Sequence, residues 1–142
     1  MQVKQDDRRS KLVYIGWWLV LALLCYGLLS PDPPKLGTGF LPDYLKFYAS
    51  KGVHLGGFTF LAMGAGLLAI TPRHQRLLWG LLVVFAALTE YLQTFVEGRF
   101  GCVADVFINL TGVTLGVGLA LGWRLRSAAR ARRSLSATTT AT

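Results

Sequence analysis

LLWGLLVVFAALTEYLQTFV (Leu77–Val96), EGRFG (97–101) and CVADVFINLTGVTLGVGLALGW (Cys102–Trp123) decide the architecture of this chain. Each of the two long runs is close to the ~20 helical residues that cross a ~30 Å hydrocarbon layer. A backbone in lipid must satisfy its own hydrogen bonds, which leaves helices or closed barrels. The runs are continuous and do not alternate with period two, so helices are expected. Upstream, Leu12–Leu29 and Gly52–Ile70 have the same character. The expectation is an all-α membrane protein, a four-transmembrane-helix bundle with helices near 12–29, 52–70, 77–96 and 102–123. The third and fourth runs pass on length but carry Glu90 and Asp105.

Composition agrees. Of the 142 residues, 53% are hydrophobic and 15% charged, with mean hydropathy +0.46, which suits a polytopic membrane protein better than a soluble domain. The net charge of +8 raises the question of nucleic acid, and its distribution argues against that. Lys4, Arg8, Arg9 and Lys11 precede the first run, Arg73 and Arg76 lie between the second and third, and Arg124, Arg126, Arg130, Arg132 and Arg133 follow the last. Four spans place these eleven on one side, against Lys35, Lys46, Lys51 and Arg99 on the other. The positive-inside rule then puts both termini in the cytoplasm, and the same residues suit anionic lipid headgroups. Trp17, Trp18, Trp79 and Trp123 all fall toward that same side, where interfacial tryptophans are favoured.

One domain without internal repeat is expected. Residues 1–11 read as a cytoplasmic tail, 12–123 as the transmembrane domain and 124–142 as a basic, partly disordered cytoplasmic tail. The first run is long and ends in Leu28-Leu29-Ser30-Pro31, a poor cleavage site, so it reads as an uncleaved helix. The outer loop Ser30–Ser50 begins with Pro31, Pro33 and Pro34, an extended segment. Its second half, Asp43–Ser50, reads as a short interfacial helix capped by Asp43. Thr71–Arg76 is expected to be a tight cytoplasmic turn. Gly52/Gly56 and Gly112/Gly116 have the four-residue spacing that lets helix backbones approach, within the monomer or toward a partner helix. Cys25 and Cys102 read as unpaired thiols unless the first and fourth helices adjoin.

The exceptional residues are polar. Lys51 and His54 are three apart, Glu90 and Gln93 three apart, Asp105 and Asn109 four apart, so each pair shares a helix face. Arg99 sits in the loop between the last two helices, and Glu97 is expected in solvent. Glu90 lies about two turns, roughly 9 Å, from its helix end, and all seven converge on one outward level in the proposed topology. Buried ionisable groups in a membrane usually face a bundle interior or cavity and have a partner. Helix-to-helix glue is the plainer use of such groups. Against it stand a carboxylate base, a switchable imidazole and a guanidinium brought together.

Lys51-x-x-His54, Glu90-x-x-Gln93, Gly98-Arg99 and Asp105-x-x-x-Asn109-x-x-Gly112 resemble the signature of the VanZ-like family, small polytopic membrane proteins named for a teicoplanin-resistance protein. The resemblance covers about Ser50–Gly116. Two positions depart from it: Ser50 stands where members carry Asp, and Glu97 where they carry Pro. The resemblance implies low-level glycopeptide resistance or an envelope role in some members, in the cytoplasmic membrane of a bacterium.

The leading expectation is therefore an outer-leaflet cavity that binds or processes an envelope lipid or glycopolymer precursor. Lys51 and Arg99 would hold a phosphate or carboxylate, with Gln93 and Asn109 as neutral ligand-binding partners. Glu90 and His54 are the acid/base candidates, and Asp105 would orient Arg99 or His54. No nucleophile is evident, His74 lies in the opposite turn, and no metal or cofactor is expected. The competing expectation is a helper subunit whose ion pairs fix the bundle and whose glycines dock a partner. A proton-coupled carrier ranks last, because no ionisable residue deep in the first two helices continues a path inward.

Overall fold

The computed structural model describes residues 2–31, 42–68 and 70–139. Four helices make up the fold: α1 (Gln2–Leu29), α2 (Asp43–Leu67), α3 (Pro72–Gln93) and α4 (Val103–Thr139). Among the described residues there is no strand. Three helices hold stretches long and apolar enough to cross a membrane, at Lys11–Leu29, Pro72–Gln93 and Val103–Arg133. The fourth, α2, is diluted by glycine and by Lys51 and His54, yet it is the central element. It packs against α1, α3 and α4, and its interface with α4 is the most extensive in the molecule.

The core lies around α2. Phe58, Leu61, Ala62 and Ala65 are fully buried, with Ala86 of α3 and Val113 of α4 against them and Trp17, Leu24 and Leu28 of α1 closing the far side. Large apolar side chains are instead plentiful outside, including Leu19, Leu23, Val84, Phe107, Leu115 and Leu119. An exterior this rich in large apolar side chains suits lipid or another protein.

Small residues set the α2–α4 distance. A Cβ on Gly112 would stand 2.6 Å from the Leu55 carbonyl oxygen, and one on Gly116 would run into the Thr59 carbonyl. These glycines therefore let two helix backbones touch. The pair Gly52/Gly56, of the same spacing, does not repeat this: a Cβ on either would meet nothing within 4 Å beyond its own helix backbone. Trp17 is likewise more than an interfacial anchor, since its ring is buried and its Nε1–H donates to the Leu61 carbonyl at 2.8 Å. Trp79 donates to the Ala62 carbonyl at 2.9 Å, so two indoles tie α1 and α3 to the middle of α2.

Several boundaries differ from the sequence expectation. Asp43–Ser50 is no separate interfacial helix but the first two turns of α2, because Ala49-Ser50-Lys51 offers no break. Pro42, not Asp43, occupies the cap position, and Asp43 pairs with Lys46 one turn on at 2.9 Å. The hydrogen bond from Lys46 and its charge hold the Asp43 carboxyl below its usual range. The turn expected at Thr71–Arg76 is shorter: Thr71 caps α3 and Pro72 already lies in its first turn, where proline is favoured. At the other end α4 does not stop at Trp123 but runs through the basic tail to Thr139, through a stretch rich in Ala, Leu and Arg, all good helix formers. At 1.5 Å per residue its 37 residues span about 56 Å, well beyond a hydrocarbon layer of about 30 Å. The extended reading of Pro33 and Pro34 falls outside the described residues. Cys25 and Cys102 are both free.

Candidate functional site

The polar residues gather at the end of the bundle where α1 and α3 finish and α4 begins. His54 of α2, Glu90 of α3 and Asn109 of α4 meet in the interior, exposed by only 3%, 4% and 0%. The three- and four-residue spacings explain how. His54 sits one turn below Lys51 on α2, and Asn109 one turn below Asp105 on α4, so the two helices present matching rungs.

The deeper rung is a closed network. His54 Nδ1 lies 3.0 Å from Asn109 Oδ1 and 3.3 Å from Glu90 Oε1. Asn109 Nδ2 donates to Glu90 Oε1 at 3.1 Å and to the Ala86 carbonyl at 3.3 Å. The second Glu90 oxygen accepts the Cys102 backbone N–H at 3.2 Å. Every neighbour of the Glu90 carboxylate is thus a donor, the set of partners that a carboxylate wants. The chain passes closely here, since a Cβ on Gly101 would collide with the Glu90 carbonyl oxygen.

The upper rung is an ion pair. Lys51 Nζ sits 2.6 Å and 2.7 Å from the two Asp105 oxygens, and it also lies 4.9 Å above the centre of the Phe47 ring. Asp105 is buried, whereas the Lys51 side chain keeps 25% of its surface. A groove of about 300 Å³ opens beside it, walled by Gly52, Leu55, Ile108 and Thr111.

Five of the seven expected residues therefore come together, and two do not. Asp105 orients neither Arg99 nor His54: its oxygens are held by Lys51. Arg99 turns away toward α1, where Nε donates to the Ser30 carbonyl at 3.2 Å and Nη2 to the Gly27 carbonyl at 2.7 Å. Gln93 does the same, donating to the Leu28 carbonyl at 3.2 Å. The last carbonyls of a helix lack partners within it, and a cation at that end also meets the negative pole of the helix. Arg99 and Gln93 thus bind the end of α1 to the α3–α4 corner. Glu97 is exposed, as expected.

Three ligating side chains, those of His54, Glu90 and Asp105, have atoms within 4.8 Å of one another. Their oxygens and Nδ1 are engaged by hydrogen bonds and by the Lys51 ammonium, which leaves His54 Nε2 as the ligating atom of the three without a hydrogen-bond partner among the described residues. Sequence reasoning missed one feature of the site and one buried amide at the opposite end of the bundle. The Cys102 amide carries no side-chain signature. Gln75, 2% exposed, donates to the Gly66 and Leu68 carbonyls at the end of α2 at 3.1 and 3.2 Å; its amide beside Arg76 reads as ordinary surface.

No curated protein and no solved structure matches the chain. Residues 17–125, which contain both rungs and the Arg99 corner, match VanZ/LLP1. With most of its length inside that match, the chain belongs to the VanZ/LLP1 family.

Proposed function

We propose that this VanZ-family protein crosses the cytoplasmic membrane of a bacterium four times, with both termini in the cytoplasm. Its polar cluster then faces outward and binds the anionic headgroup of an envelope lipid or glycopolymer precursor. The observation that carries this reading is the asymmetry of the upper rung: Asp105 is buried, while Lys51 stays accessible at the head of a largely apolar groove. An ammonium at a membrane surface above an apolar cleft suits a phosphate with a hydrocarbon tail. Arg99, engaged with α1, has a lesser part in that contact than Lys51. Altered glycopeptide (teicoplanin) susceptibility is the cellular phenotype that follows.

The test is the double variant Lys51→Met/Asp105→Leu, which removes both charges and leaves an apolar pair. Wild-type protein purified from membranes should carry anionic lipid detectable by mass spectrometry; the variant should fold in equal yield and lose it. Equal lipid on both would defeat the proposal. A second reading has a specific observation behind it: among the described residues every enclosed side-chain nitrogen and oxygen is partnered, as in a structural network that fixes a helper subunit. Glu90→Gln and Arg99→Lys separate the two. Lost antibiotic phenotype at unchanged yield supports the site, and lost yield supports the network.

A further inference from the structure

We propose that His54 Nε2 is the proton-accepting atom of this site, with Glu90 and Asn109 as the positioning residues that fix its lone pair; this rests on the ligand-binding reading above. The argument begins at Asn109. Its two amide ends are distinguished by their neighbours, because Nδ2 faces Glu90 Oε1 and the Ala86 carbonyl, both acceptors. Its oxygen must therefore face His54. Nδ1 of His54 then looks at two acceptors, Asn109 Oδ1 at 3.0 Å and Glu90 Oε1 at 3.3 Å, and has to carry the proton. In a neutral imidazole the lone pair is left on Nε2.

Nε2 is the atom in this network without a use. Among the described residues none forms a hydrogen bond with it, yet no fully enclosed nitrogen or oxygen goes unpartnered, so this atom reaches the molecular surface. The residue as a whole is buried, at 3% exposed. A ring clamped at Nδ1 by a buried carboxylate, with an unbonded and not fully enclosed Nε2, is the arrangement by which a carboxylate fixes the tautomer of a general base and stabilises the imidazolium it becomes. His54 and Asp105 have ligating atoms within 4.8 Å of each other, and Lys51 is on Asp105, so an anion held by the ammonium lies close to the imidazole.

The step is a proton transfer. An O–H of water or of a ligand hydroxyl breaks heterolytically, the proton goes to Nε2, and the electron pair stays on the oxygen. Glu90 neutralises the imidazolium, and return of the proton from Nε2 to the same oxygen restores the neutral ring. Neither oxidant nor reductant is required.

Full-length protein in nanodiscs, labelled with ¹⁵N-histidine, gives the direct test, with exposed His74 as internal reference. His54 should show one neutral tautomer, protonated at Nδ1 and bare at Nε2. Diethyl pyrocarbonate should carbethoxylate His54 within about tenfold of the rate at His74, as followed by peptide mass spectrometry, in spite of its burial. Glu90→Gln should slow His54 severalfold while His74 is unchanged. An Nε2–H tautomer, or a His54 inert to the reagent in the wild-type protein, overturns the proposal whether or not any variant folds. Lipid retained by Lys51→Met/Asp105→Leu overturns the binding reading instead, and leaves these two measurements untouched.

Discussion

Asn109→Leu tests how much the interior network contributes to stability. Asn109 is fully buried and makes three contacts across helix boundaries, to His54, Glu90 and the Ala86 carbonyl. Leucine has about the same size and leaves little cavity, so the loss is chiefly that of the hydrogen bonds. Interhelical hydrogen bonds within membranes average about 0.6 kcal/mol and reach about 1.7. Three of them come to about 2 kcal/mol, or roughly thirtyfold in the unfolding equilibrium. Thr111→Val is the matched control, since its hydroxyl is exposed and bonds only the Phe107 carbonyl of its own helix; its loss should be near zero. Reversible unfolding in mixed micelles with increasing dodecyl sulfate measures both, with the buried Trp17 as fluorescent reporter. If Asn109→Leu and Thr111→Val unfold at the same midpoint, the three contacts contribute nothing net and the reasoning fails.

Other consequences are as direct. Gly112→Val should abolish folded yield, because its side chain has only the Leu55 carbonyl and Phe58 to enter, whereas Gly118→Val, open within 4 Å, should be tolerated. Lys51→Met alone should cost about 3–5 kcal/mol, the usual penalty for a buried charge left unpaired, and pairing it with Asp105→Leu should restore most of that in the same unfolding assay. Arg99→Ala should speed hydrogen exchange at the Ser30 amide, which closes the end of α1 onto the Tyr26 carbonyl, and leave exchange in α4 unchanged. The proposed orientation predicts that a membrane-impermeant maleimide added to intact cells labels exposed Cys102 but not a cysteine introduced as Ser127→Cys; the reverse pattern would invert the topology.

Hydropathy made the helices legible, and helical spacing showed that Lys51 and His54, Glu90 and Gln93, and Asp105 and Asn109 each share a helix face; which residue pairs with which, Lys51 with Asp105 and His54 with Asn109, came only from the fold. Partner choice was less accessible. Arg99 and Gln93 looked like members of the cluster because of their depth, but the unmet carbonyls at the end of α1 are a backbone demand that no side-chain pattern reveals. Trp17 shows the same limit, since an indole near a helix start has the same letter whether it lies at an interface or donates to Leu61. The ends of α2 and α4 escaped for another reason. A hydrophobicity reading stops where the apolar run stops, whereas a helix continues until something breaks it, and neither Ala49-Ser50 nor the Ala- and Arg-rich segment after Trp123 does.

In the four-span arrangement, the centrality of α2 governs how the protein is made. Placing lysine in the middle of a lone membrane helix costs about 3 kcal/mol, less near an end, and α2 adds His54 and five glycines to it. It is synthesised before α3 and α4, the helices that supply the partners of its polar groups. Integration of α2 should therefore wait at the insertion machinery until the following helices emerge. A chain cut after residue 70 would have the segment but not the means of keeping it in lipid.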